Sequence, residues 1–139
     1  MSNLTEFGQS ILQQQPFSRF LGAELEKLEA GSAVVTLAVK ESFLQQHGYV
    51  HGGVVSYLAD NALTFAGGST FGDALTVEFK INYVKPAKAQ RLRAVASVSA
   101  GGRRLATCRC DVIAENDGET PYVCAVAQGT IMALKREDA

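Results

Sequence analysis

Residues 45–67, QQHGYVHGGVVSYLADNALTFAG, run from a glycine-rich loop straight into an apolar helix, and the rest of the chain is organised around them. Val54 to Ala66 contains no proline, no glycine and a single charge, so it reads as a helix that starts at His51-Gly52-Gly53 and ends at Gly67. Its composition is that of a helix buried nearly all round. Asp60 stands in the middle of it, and a carboxylate there is either a hydrogen-bonded structural group or the working group of a site. The glycines bear on that choice. A helix start without side chains lets a substrate oxygen approach backbone N–H groups that carry partial positive charge. The helical rise separates Asp60 from Gly53 by roughly 10–12 Å, too far for both to act within one chain. Two copies with their central helices antiparallel bring Asp60 of one chain to the Gly52-Gly53 turn of the other, so each dimer gains two composite sites.

Working outward from this helix, Leu4, Phe7, Ile11 and Leu12 recur at helical spacing until Pro16, which predicts an amphipathic helix over residues 3–14. Phe20 to Glu29 and Ser32 to Lys40 read as strands joined at Gly31, and Glu41 to Gly53 as irregular structure. After Gly67-Gly68 the period becomes two. Strands are predicted over Ala74–Val84, Arg91–Ala100, Arg103–Glu115 and Tyr122–Leu134, with a two-residue hairpin at Gly101-Gly102 and a turn at Asn116-Asp117-Gly118. The order β-β-α-β-β-β-β implies an α+β fold, an antiparallel sheet of about six strands wrapped on one long helix. One domain over residues 3–134 and a charged tail over residues 135–139 account for the chain.

The 139 residues carry a net charge of -1, which supplies no basic field for nucleic acid or an acidic membrane. No stretch reaches membrane-spanning length and Met1 to Gln15 lacks the pattern of a signal peptide, so a cytoplasmic protein is expected. Cys108, Cys110 and Cys124 fall inside strands and are expected to be reduced packing residues. His47 and His51 form H-x-x-x-H, but the glycines around them oppose the helix a zinc pair needs, and no metal is assigned.

With His51-Gly52-Gly53, Leu58-Ala59-Asp60 nine residues after the histidine, and Phe79-Lys80-Ile81-Asn82-Tyr83 leading to Lys85-Pro86-Ala87, the chain resembles the hotdog-fold acyl-CoA thioesterases of the PaaI-like (phenylacetyl-CoA thioesterase) group. The resemblance covers nearly the whole chain. It implies that Asp60 acts as base or nucleophile on the thioester and that the Gly53 N–H polarises its carbonyl. It further implies that His51 supports the loop and that the Thr76 hydroxyl, on the strand facing the helix, holds the attacking water. Gln45 stands where the family commonly has Asn, and it is either a site residue or a solvated loop residue. No cofactor is implied, since CoA is part of the substrate, and the implied assembly is a homotetramer of two dimers.

Thioester hydrolysis needs a carboxylate or activated water at the carbonyl carbon and donors where charge develops on oxygen, and Asp60 and the Gly52-Gly53 turn are groups of those kinds. Tyr57, with Leu58, Leu63 and Phe65, either lines an acyl pocket or packs the core. Lys85, Lys88, Arg103 and Arg104 lie at strand ends, where they either meet the CoA phosphates or are solvated surface charges. Ser56 is in no G-x-S-x-G elbow, which argues against a serine nucleophile. Two other functions share the fold: a non-catalytic acyl-CoA sensor, and a structural dimer with Asp60 as a buried acceptor.

Overall fold

The computed structural model describes residues 3–134, so the expected tail over residues 135–139 lies outside the described residues. Its elements are helix α1 (Asn3–Gln13), helix α2 (Pro16–Leu21), strands β1 (Glu24–Glu29) and β2 (Ser32–Ala38), helix α3 (Gly52–Phe71), and strands β3 (Ala74–Tyr83), β4 (Arg91–Gly101), β5 (Leu105–Glu115) and β6 (Tyr122–Ala133). All six strands form one antiparallel sheet in the order β1-β2-β4-β5-β6-β3, and α3 packs across it. This is the expected α+β architecture. β1 and β3 are its edges.

Several boundaries differ from the sequence reading. Pro16 does not merely end α1; it starts α2, where its missing N–H costs nothing at the first helical position. The strand expected from Phe20 therefore begins only at Glu24. α3 does not stop at Gly67 but runs on to Phe71, with Gly72 at φ 95° ending it. Gly67 stays helical because it is a packing residue: a Cβ there would lie 2.8 Å from Cβ of Ile131 on β6. The β4–β5 hairpin turns two residues later than expected, at Arg103-Arg104, since Gly101 pairs with Ala106 and the Gly102 N–H donates to the Leu105 carbonyl at 2.8 Å.

α3 is not buried all round. Val55, Leu58, Ala59, Ala62, Leu63 and Ala66 face the sheet and are buried, and each such leucine contributes about 1.5–3 kcal/mol. The other face, with Val54, Tyr57, Asp60, Asn61, Thr64 and Gly68, is only half-buried in the single chain. Asp60 thus sits on an open stripe, not in the core.

β3 carries a bulge between Thr76 and Glu78, with Thr76 paired to Ile131 and Glu78 to Thr130. The extra residue, Val77, shifts the alternation by one. Thr76 before the bulge and Phe79 and Ile81 after it all turn toward the helix side, while Leu75 and Val77 are left about half exposed.

Candidate active site

The bulge places Thr76 against Asp60, whose Oδ1 accepts a hydrogen bond from the Thr76 hydroxyl at 2.5 Å. Thr64, one turn after Asp60 on the same stripe, contacts the Thr76 hydroxyl at 2.8 Å and the Asp60 backbone carbonyl at 2.9 Å. An ionised carboxylate only accepts, so Thr76 spends its one hydrogen on Asp60, and the one Thr64 hydrogen is shared between the Asp60 backbone carbonyl and the Thr76 oxygen. Asp60 Oδ2 has no hydrogen-bond partner among the described residues. The carboxylate is therefore fixed through one oxygen and open at the other.

The loop at the other end of α3 is built as a small hairpin. Leu44 bridges to Val50, the Gln45 N–H donates to the Tyr49 carbonyl at 2.8 Å, and Gly48 takes φ 85° at the tip. Buried Phe43, Val50 and Ala87 anchor it, through His51 N–H to the Phe43 carbonyl and Val50 N–H to the Ala87 carbonyl. His51 caps the helix: its Nδ1 accepts from the Gly53 N–H at 2.8 Å, which requires that nitrogen to be unprotonated. The Gly53 N–H is thus occupied in the single chain. The Gly52 N–H has no acceptor among the described residues, and Gly52 lines a cleft of about 430 Å³ with Gln45, His47, Tyr49, Tyr83 and Lys85.

Gln45 is turned back on its own loop, where its Oε1 accepts from the His47 N–H. Tyr83, which sequence reasoning did not single out, brackets Gly52: its hydroxyl contacts Ser56 Oγ and donates to the Gly52 carbonyl at 3.1 Å. Nothing local signals that contact, because 31 residues separate the two.

Asp60 and Thr76 do not line the Gly52 cleft. Tyr57 faces α2 instead, edge-on to Phe17 at 5.3 Å, with its hydroxyl 2.6 Å from Ser18 Oγ and accepting from Asn61 Nδ2 at 3.0 Å. Burial raises its phenol pKa, partly offset by the hydrogen bonds to Ser18 and Asn61. Lys85 is exposed, with Nζ 5.8 Å from the Tyr122 ring centroid, and Lys88 is exposed on the same connection. Arg103 and Arg104 are exposed at the opposite end of the sheet, beside the β3 start, whereas Lys85 follows the β3 end. The length of β3 separates them by about 30 Å within one chain. Both clusters can meet one nucleotide only across a chain boundary. Among the described residues no group of three or more His, Cys, Asp or Glu is placed to hold a metal ion, and no helix is long and apolar enough to cross a membrane.

A long helix wrapped by a six-stranded antiparallel sheet is the hotdog fold, here with a capped HGG loop at the helix start and a hydroxyl-bound aspartate on the half-buried face. The family model of the thioesterase superfamily matches residues 47–121, from the loop through β5, and the chain belongs to that superfamily as a thioester hydrolase. A thioesterase family protein from Silicibacter pomeroyi is 32% identical, with a TM-score of 0.89 over 95% of this chain and 98% of that one. A variant of the phenylacetic acid degradation protein PaaI from Thermus thermophilus is 33% identical, with a TM-score of 0.77 over 86% of this chain and 100% of that one. In sequence, a presumed esterase of Saccharolobus solfataricus is 33% identical over 131 residues, 93% of this chain and 85% of that protein.

Proposed function

We propose that this chain hydrolyses acyl-CoA thioesters to free acid and CoA at a site shared between two protomers. The observation that carries the reading is the Asp60 carboxylate, held at Oδ1 by Thr76 and open at Oδ2 on the half-buried stripe of α3. As a base, Asp60 takes a proton from water as the water oxygen attacks the carbonyl carbon; as a nucleophile, it attacks directly and water then opens the anhydride. In the first route Asp60 passes that proton to the CoA sulfur as the C–S bond breaks; in the second the C–S bond breaks to release the CoA thiolate, which takes its proton from water. Charge on the carbonyl oxygen is met by the first-turn N–H groups of a partner's α3: Gly52 as it stands, Gly53 once His51 turns aside.

Three features support the partner. Asp60 and the Gly52 cleft lie apart in one chain, the face of α3 that carries Asp60 is only half-buried in the single chain, and β3 is an edge strand with Leu75 and Val77 about half exposed. In this reading the CoA phosphates meet Lys85 and Lys88 from one protomer and Arg103 and Arg104 from its partner, and dimers pair into a tetramer. The test is turnover of a panel of acyl-CoAs by the wild type and by Asp60→Asn. The wild type should release CoA and the variant should lose on the order of 10²–10⁴ in kcat. A wild type that binds acyl-CoA without turnover would instead be a sensor, and one that neither binds nor turns over would be a structural dimer.

A further inference from the structure

A second cleft opens between α1 and α3, about 410 Å³ in volume, with Leu4, Phe7 and Ile11 of α1 on one wall and Asn61, Thr64 and Phe65 of α3 on the other. We propose that this cleft receives the acyl group, which makes α1 the element that sets acyl specificity; the proposal rests on the acyl-CoA hydrolase reading above. Thr64 is the link. It lines the cleft and is also hydrogen-bonded to Thr76, the residue that holds Asp60. A thioester carbonyl beside Asp60 therefore has this cleft within one side chain's reach on the same protomer.

The polarity of the cleft runs the right way for such a ligand. Asn61, Thr64 and Gln15 form its polar side with Ser69 and Asp73 toward the end of α3, while Leu4, Phe7, Ile11, Leu28 and Phe65 supply apolar contact. Leu4 to Ile11 spans seven residues of helix, or ~10 Å, a run suited to an aromatic ring or a medium-length chain and left largely empty by acetyl. The other clefts are placed less well for an acyl group held at Asp60. The one at Gly52 includes none of Asp60, Thr64 and Thr76, and the one on the outer face of the sheet is lined by Glu78, Lys80, Arg109 and Asp111.

The α1 wall is fixed in place. Gly8 lets α1 approach β1 so closely that a Cβ would lie 2.5 Å from Leu25 Cδ2, the Thr5 hydroxyl bonds the Leu28 backbone, and Gln9 Nε2 donates to the Leu25 carbonyl at 2.9 Å. The opposite wall is fixed too, because Asn61 Nδ2 is held by Tyr57, Gln15 and Ser18. Phe7, 63% exposed, forms part of the rim, so its side chain can be changed without opening the core.

The experiment compares kcat/KM for acetyl-CoA, octanoyl-CoA and phenylacetyl-CoA in wild type, Ile11→Trp and Phe7→Ala. Ile11→Trp fills the cleft, and the octanoyl-to-acetyl and phenylacetyl-to-acetyl ratios should fall about tenfold or more. Phe7→Ala removes rim contact and should lower both ratios about threefold, and it decides the matter if Ile11→Trp does not fold. Ratios that stay within twofold of wild type in every folded variant overturn the cleft assignment while leaving the hydrolase reading standing. A wild type inert toward all three substrates overturns the hydrolase reading itself, and this assignment with it.

Discussion

Replacing Thr76 by valine keeps the shape of the side chain and removes the hydroxyl that donates to Asp60 Oδ1. A hydrogen bond to a charged group contributes about 1.5–3 kcal/mol. Asp60 and Thr76 are half-buried in the single chain, so water can replace part of that, leaving a net loss of about 1–2 kcal/mol. If the bond is needed to aim the carboxylate in the transition state, kcat should fall about 5–30-fold, at 1.36 kcal/mol per decade. Thr76 spends its hydrogen on Asp60, so KM should stay within about twofold. Thr76→Ser keeps the hydroxyl and should recover most of the rate. The assay is steady-state CoA release from a good acyl-CoA substrate. A kcat within twofold of wild type would refute the positioning argument. A loss as large as that of Asp60→Asn would refute it as well, because Thr76 would then be doing the chemistry attributed to the carboxylate.

Gly67→Ala should destabilise the fold by about 1–3 kcal/mol in urea denaturation, because the new methyl would lie 2.8 Å from Ile131 in a packed core; an unchanged midpoint would mean that α3 and β6 can separate at no cost. Glu115 is held below the usual carboxylate range, first by its hydrogen bond from Arg91 and then by Arg93. Its contribution to stability is therefore present above the unfolded carboxyl value of about 4.3 and lost as pH falls through the lower folded value. Glu115→Gln should accordingly be less stable than wild type at pH 7, with the gap closing in denaturation series below about pH 4; a constant gap would mean that the carboxylate pairing is not its source. Burial pushes the Cys110 thiol up to about 12 and Cys124 up to about 11, and raises Cys108 as well. All three thiols should resist alkylation at pH 7.5 in the native protein and react on unfolding, as counted by mass spectrometry; rapid native labelling would place them at a surface.

The elements of the fold were legible where the sequence states its period plainly. The alternation in β4, β5 and β6, the HGG helix start, and the antiparallel sheet on one helix all follow from it. The misread boundaries have long-range causes. Gly67 looks like a helix stop because local propensity penalises glycine, and it is helical because Ile131, 64 residues away, needs the space. Thr76 shows the same limit inside the candidate site. Leu75, Val77, Phe79, Ile81 and Tyr83 alternate without a break in the sequence, and that period alone puts Thr76 on the outer face with Glu78 and Lys80. The bulge at Val77 reverses it, and only the family resemblance pointed to Thr76 beforehand. Tyr57 reads as lining a pocket or packing the core, and its bond to α2 was not legible because the reading of Pro16 as a stop alone hid that helix. The placement of Asp60 apart from the Gly52 cleft was legible because it needs only helical rise.

That separation makes the shared site the point on which the proposed chemistry depends. Asp60→Asn and Gly52→Val subunits, each inactive as a pure dimer, are unfolded and refolded together, and the mixed dimers are quantified by native mass spectrometry. Random pairing makes half the dimers mixed, and each mixed dimer has one site with both lesions and one with neither. A site built from two chains should therefore recover about a quarter of wild-type kcat per chain. Activity no greater than that of the two pure variants, in samples where mixed dimers are present, would contradict it and place the complete site within one chain.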